Sequence, residues 1–235
     1  MTKTKQQKCE EEKKEVKKKK KVAILVLNNH RYIPNYFFKS VLDLLTYNKK
    51  YVDIDICHIC AHDIALMRNL AVQQAIDMNY DFAFMCDIDM EYPMDSIVRL
   101  YARWLAQAEE DSIFVGSART RTEPHQSTQF YKVGIDGFKE ENNRVYADPN
   151  SNEVIKIEGT GLVGALIPIT ALKKLNKPYF ETIYRKDGSY DGEDINFARK
   201  CKEQGINIYL DPQVNYGHEI VKLIYADGEK LEGTS

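Results

Sequence analysis

The sequence predicts an α/β domain, a mixed central sheet flanked by helices with a Rossmann-like first half, on three observations. Strand-like and helix-like segments alternate between residues 22 and 86, the first strand is apolar at every position, and polar residues of ligand-holding types follow the strands. A continuous apolar run suits a strand covered on both faces, as in a parallel sheet with helical crossovers.

The elements follow in order. Residues 22–27 form the first strand, the polar Asn28-Asn29-His30 comes next, and an apolar helical pattern runs over 36–45. Residues 52–57 alternate like a second strand. A second helix spans 63–78, with Leu66, Leu70, Ala71 and Ala75 expected on its buried face, and 81–86 is a third strand. Ligands in such sheets sit at the carboxyl ends of the strands, so Asn28, residues 57–62 and residues 87–91 are expected along one rim.

The second half is less regular. A helix over 95–106 and a strand over 112–116 precede a polar, turn-rich stretch, 120–152, with a strand-like piece at 129–133. Strand character resumes at 154–158 and 161–167, with a short helix at 170–175. A flexible loop over 187–192 leads into a helix over 193–204 that stops at Gly205. Residues 206–210 alternate as a last strand, ended by Asp211-Pro212. There is no internal repeat.

The chain has 235 residues, 43% apolar and 29% charged, which suits one folded domain, expected over 22–220. Residues 1–21 hold ten Lys and four Glu with almost no apolar side chain, the composition of a disordered tail; residues 221–235 are a second tail. The first tail carries about +6, so the remainder carries about −8 of the total of −2. An acidic body argues against a nucleic-acid partner. The Lys-rich end of the tail offers weak contact with an anionic membrane surface, beside the plainer reading of a solvated segment. The apolar runs 22–27 and 162–167 are too short to span a bilayer. Five cysteines without framework spacing read as reduced thiols, and a cytoplasmic location is expected, peripheral to a membrane if the tail engages lipid. Cys57 and Cys60 read as thiols near a strand end, since no second Cys/His pair follows at zinc-finger spacing.

Four places carry chemistry. Asp87-Ile88-Asp89 follows a buried strand directly. Two desolvated carboxylates two residues apart repel one another, and a cation is their natural partner. Asp191-Gly192-Glu193-Asp194 opens a helix, where acids are also favoured by the helix dipole and Asp191 suits a cap. Glu193 or Asp194 could accept the proton of an incoming hydroxyl. His218 lies beyond the last strand, and its imidazole suits a divalent transition metal. Arg68, next to Asn69, reads either as a surface cation or as fixed positive charge at the rim. Gly159-Thr160-Gly161 admits close backbone approach by a ligand, or is a turn between strands.

Together, the strand followed by Asp87-x-Asp89, the Gly159-Thr160-Gly161 turn, Gly192-Glu193-Asp194 and the late His218 resemble the GT-A glycosyltransferases. The Arg68-Asn69 helix before Asp87-Ile88-Asp89-Met90-Glu91-Tyr92-Pro93 resembles a compact, family-2-like branch of them. The resemblance covers nearly all of residues 22–219. It implies a single GT-A domain that moves a sugar from a nucleotide-sugar donor, a UDP-sugar foremost, to a hydroxyl on a glycan, lipid or protein. It implies that Asp87, Asp89 and His218 hold Mn²⁺ or Mg²⁺, that Asn28, Asn29, Arg68, Asp87, Gly159, Thr160 and Gly161 line the donor, and that Asp194, with Glu193 beside it, is the catalytic acid pair. Inversion is expected because Asp194 supplies a base, although the same metal site serves retention. A nucleotidyltransferase would need a glycine-rich loop at the first strand, and residues 22–31 contain no glycine. A non-catalytic binding module of the same fold is the other alternative, one in which some of these acids would usually be lost.

Overall fold

A computed structural model describes residues 19–28, 32–107, 109–118, 130–131, 145 and 147–219. The bulk of both expected tails, Asn29 and most of the turn-rich stretch 120–152 lie outside the described residues. The strands are β1 (Lys21–Asn28), β2 (Asp53–Cys60), β3 (Phe82–Asp87), β4 (Met90–Glu91), β5 (Ile113–Ser117), β6 (Phe130–Tyr131), β7 (Ile155–Ile157), β8 (Gly159–Thr160), β9 (Ala165–Pro168), β10 (Ile183–Tyr184), β11 (Tyr190–Asp191), β12 (Ile208–Asn215) and β13 (Gly217–His218). The helices are α1 (Asn35–Asn48), α2 (Ile64–Asp77), α3 (Ser96–Gln107), α4 (Ile169–Lys174) and α5 (Glu193–Glu203).

Seven strands make one mixed sheet in the order β2-β1-β3-β9-β5-β12-β7. β1 pairs in parallel with β2 and β3, as the alternating pattern predicts, and β12 pairs in parallel with β5. β9 runs antiparallel between β3 and β5, and β7 antiparallel at the edge. β1 is buried from Val22 to Asn28, which is why its sequence is apolar at nearly every step. One apolar cluster fills each face of the sheet. Leu25, Met67, Ala71 and Met85 belong to one, and Ile24, Phe37, Phe84 and Tyr92 to the other.

Four elements depart from expectation. α2 buries Ala65, Met67, Arg68, Ala71, Val72 and Ala75, while Leu66 and Leu70 are exposed. Small side chains let the helix lie close to β1 and β2, and the larger leucines turn outward. β2 continues through Cys60, so Cys57 and Cys60, three apart, point to opposite faces; Cys57 is buried and Cys60 exposed. Residues 187–192 are not an unstructured loop throughout, because Tyr190–Asp191 pairs with Ile183–Tyr184 in a two-stranded hairpin. The last strand does not end at Asp211-Pro212. It passes through them with a register shift before Asn215, the kind of irregularity that tolerates a proline inside a sheet.

No helix among the described residues is long and apolar enough to cross a membrane.

Candidate active site

The parallel strands deliver their carboxyl ends to one rim. Leu27 of β1 stands opposite Asp87 of β3, and Asn28 opposite Cys60 of β2, which puts buried Asn28 and the end of β3 side by side. After Asp87 the chain turns at Ile88-Asp89 and returns as β4. Tyr92 secures this turn: its hydroxyl accepts a hydrogen bond from Asp87 N at 2.9 Å and reaches Asp87 O at 3.3 Å. The Tyr92 ring is held in turn by Phe84 and Tyr216, with centroids 5.8 and 5.0 Å away. Tyr216 needs glycine beneath it, since a Cβ on Gly116 or Gly164 would come within 2.4 or 2.1 Å of its ring.

β13 follows Tyr216 and pairs antiparallel with β4, His218 opposite Met90, while Glu219 N donates to Asp89 O at 2.9 Å. This pairing brings His218 Nε2 to 3.5 Å from Asp89 Oδ2. A strand more than a hundred residues downstream thus meets the Asp87–Asp89 turn, at a place where the sequence reading expected no strand.

Arg68 joins the turn to the acidic helix start. It is 3% exposed, its Nη2 lies 3.3 Å from Asp87 Oδ2, and its Nη1 lies 3.0 Å from Glu193 Oε1. Burial opposes the charge on this guanidinium, but Asp87, Glu193 and Asp194 outweigh it and push its pKa upward. Asp87 is shifted upward by burial, with Asp89 and Glu193 adding to the shift and Arg68 opposing it. Among the described residues, Arg68 Nε and Nη1 and Asp87 Oδ1 are buried without a hydrogen-bond partner; the Nη1–Glu193 contact is an ion pair that lacks hydrogen-bond alignment.

The acids at the start of α5 divide into three roles. Asp191 is buried and receives both its oxygens' bonds from Arg185 at 2.8 and 2.7 Å, with Arg199 at 3.2 Å. Burial alone would raise its pKa, and the two arginines hold it below the usual carboxylate range. It is therefore no helix cap; Gly192 occupies the cap position. Glu193 faces Arg68. Asp194 accepts from Ile195 N at 2.7 Å, and burial, aided by Glu193 and opposed by Arg68, pushes its pKa up to about 6. A Cβ on Gly192 would stand 2.7 Å from Asp194 Oδ1, so the glycine leaves room for that carboxylate.

Gly159–Thr160 forms β8, buried, paired with Phe130–Tyr131 and packed beside α5. Thr160 Oγ1 is spent inside the protein, accepting from Leu162 N at 3.1 Å. Gly161 is half-buried just beyond it. Asp95, directly before α3, accepts from Arg99 N at 3.0 Å through its carbonyl and pairs with the Arg99 side chain at 2.6 Å.

The sequence reading missed three contributors. Tyr92 and Tyr216 are buried tyrosines that anchor the turn, and Phe180 stacks on Phe197 of α5 at 4.6 Å while lying 6.0 Å from the Arg68 guanidinium. Aromatic side chains carry no signal of such roles until their neighbours are known.

Asp89 and His218 bring a carboxylate and an imidazole together, and Asp87 adds a buried, unsatisfied oxygen nearby. No cluster of three His, Cys, Asp or Glu side chains is preformed for a metal among the described residues. Asp89 and His218 are the two side chains that could hold a divalent ion at this turn, and the imidazole suits a transition metal such as Mn²⁺ better than Mg²⁺.

No protein-family model and no curated protein matches the sequence. Among solved structures the chain is similar to A197 from STIV, with a TM-score of 0.57 and 14% identity over 92% of this chain and 95% of that one. More distant is a mutant of Drosophila β1,4-galactosyltransferase 7 in complex with manganese, UDP-Gal and xylobiose, at a TM-score of 0.49 and 14% identity over 85% and 70% of the two chains. GalNAc-T7 with UDP, GalNAc and Mn²⁺ follows at 0.47 and 10% identity, over 87% of this chain and 44% of that one. A likeness at 14% identity speaks to fold alone, and the two more distant ones carry no weight for this chain's chemistry.

Proposed function

We propose that this chain is a metal-dependent glycosyltransferase of the GT-A type, an inverting enzyme that moves a hexose from a nucleotide diphosphate, UDP foremost, to a hydroxyl acceptor on a glycan, lipid or protein. One observation carries the reading. Three carboxylates from two places far apart in sequence, Asp87 at the end of β3 and the neighbours Glu193 and Asp194 at the start of α5, gather around the buried Arg68, beside a turn whose Asp89 faces His218. Glycosyl transfer needs these two capacities at one rim: a place for a cation with the leaving diphosphate, and a carboxylate able to take a proton.

In this reading Asp89 and His218 hold the cation, with Asp87 beside them at the donor. The cation, when bound, supplies Lewis-acid stabilisation of charge on the departing nucleotide diphosphate. Asp194 is the base that takes the acceptor hydroxyl's proton. With a pKa near 6 it is ionised at neutral pH and more basic than an ordinary aspartate, which suits that work. Glu193 is the acid given over to Arg68. Asn28 and the Gly159–Gly161 segment border the donor, the part the sequence also assigns to Asn29.

Calorimetry with UDP, GDP and CDP, each with and without Mn²⁺, tests the donor claim. Tight binding of one nucleotide only with metal supports it, and no binding by any of the three under either condition refutes it. The anomer formed from the matching α-linked UDP-hexose, read by NMR, tests inversion; an α-linked product overturns it.

A further inference from the structure

Arg68 is enclosed. Its side chain is 4% exposed, its polar edge is turned to Asp87 and Glu193, and the Phe180 ring lies near its guanidinium. Its neighbour Asn69 explains the cover. Asn69 Oδ1 accepts from Tyr179 N at 2.8 Å and Phe180 N at 3.2 Å, while its Nδ2 donates to Phe180 O at 2.7 Å and to Ala65 O at 2.8 Å. One asparagine thus ties the backbone at Tyr179–Phe180 to α2, and Phe180 in turn stacks on Phe197 of α5. Two adjacent residues of α2 therefore reach α5 by separate routes. Arg68 does so through the Glu193 ion pair, and Asn69 through Phe180 and Phe197.

We propose that Arg68 and Asn69 are positioning residues that hold the first turn of α5, with Asp194, in register with the end of β3, and that neither contacts donor or acceptor. This rests on the glycosyltransferase reading for its catalytic consequence, not for the mechanical coupling. A donor contact would require the guanidinium to leave two carboxylates and its aromatic cover. A shift of about 1 Å in a reacting group can cost about a hundredfold in rate, so loosening α5 should act on turnover and leave nucleotide binding nearly intact.

The experiment compares Arg68→Met, Arg68→Lys and Asn69→Ala with the wild-type protein in two measurements. The first is amide hydrogen exchange, which needs no substrate: protection is expected to fall about tenfold or more in the first turn of α5, with β1 unchanged. The second is UDP-hexose turnover with Mn²⁺ alongside UDP affinity. Turnover at saturating donor is expected to fall about a hundredfold, UDP affinity to stay within about twofold, and Arg68→Lys to recover part of the loss. Weakened UDP binding with turnover preserved at saturation overturns the proposal in favour of a donor contact. Unchanged exchange in α5 overturns the coupling. If Arg68→Met does not fold, Asn69→Ala and Arg68→Lys decide by the same criteria. If the wild-type protein binds no nucleotide, the glycosyltransferase reading falls and exchange alone still decides the coupling.

Discussion

His218 Nε2 lies 3.5 Å from Asp89 Oδ2, and the contact exists because two residues of β13 pair with two residues of β4. Such a short ladder could not form alone. It is held by Tyr216, which is wedged over Gly116 and Gly164 and donates its hydroxyl proton to Gly164 O at 2.8 Å. Replacing either member of the pair should weaken Mn²⁺ binding in the presence of UDP by roughly a hundredfold, about 2.7 kcal/mol. Calorimetry on Asp89→Ala and His218→Ala checks this, and Mn²⁺ affinity equal to the wild type in both variants would remove the pair from the metal site.

Asp194 should set the acid limb of the activity profile. With its pKa at about 6, turnover should rise as pH increases through that value. Stability should move the other way. A carboxylate raised in the folded state binds its proton more tightly there than in the unfolded chain, so its contribution is complete below the ordinary aspartate value of 3.8 and is lost as pH climbs to about 6. The loss is on the order of 3 kcal/mol. Asp194→Asn should abolish transfer, flatten that pH window in urea titrations, and be the more stable protein at pH 7.

Gly192→Ala isolates position from fold. Gly192 has φ −62°, which alanine adopts freely, yet the new methyl would press on Asp194 Oδ1. Turnover should drop about tenfold or more while stability changes by less than about 1 kcal/mol. A variant as active as the wild type would show that the Asp194 carboxylate has slack.

Tyr92→Phe removes a hydroxyl that bonds both the N–H and the carbonyl of Asp87. A buried N–H left without its acceptor costs about 1–3 kcal/mol, so the urea midpoint should fall accordingly. Mn²⁺ affinity should fall with it, because the turn that carries Asp89 loses its anchor. An unchanged midpoint would mean that Asp87 N finds another acceptor.

Pattern made several parts readable. A strand apolar at every position, as at residues 22–27, has one physical solution, burial on both faces, and the sheet buries it so. Alternation of strand and helix implied parallel crossovers, and β1, β2 and β3 have them. Two carboxylates at a strand end signalled a rim, and Asp87 lies there. Arg68 escaped such rules. Charge counts as surface in any periodicity, so the buried face of α2 was misread toward Leu66 and Leu70, and only the meeting of α2 with Asp87 and Glu193 makes a buried guanidinium affordable.

By itself the sequence determined the α/β class, the parallel first half and the short list of acids and imidazole from which a site could be built, because these depend on local pattern and side-chain type. The tertiary structure alone decided that β9 enters antiparallel between β3 and β5, that Asp191 is neutralised by Arg185 and Arg199, and that Glu193 makes the direct ion pair with Arg68 while burial keeps the Asp194 carboxyl raised despite Arg68's charge. Neighbouring acids carry the same charge and the same propensity. What separates them is which cation lies within 3–4 Å after folding, and that distance is set by residues far away in the chain.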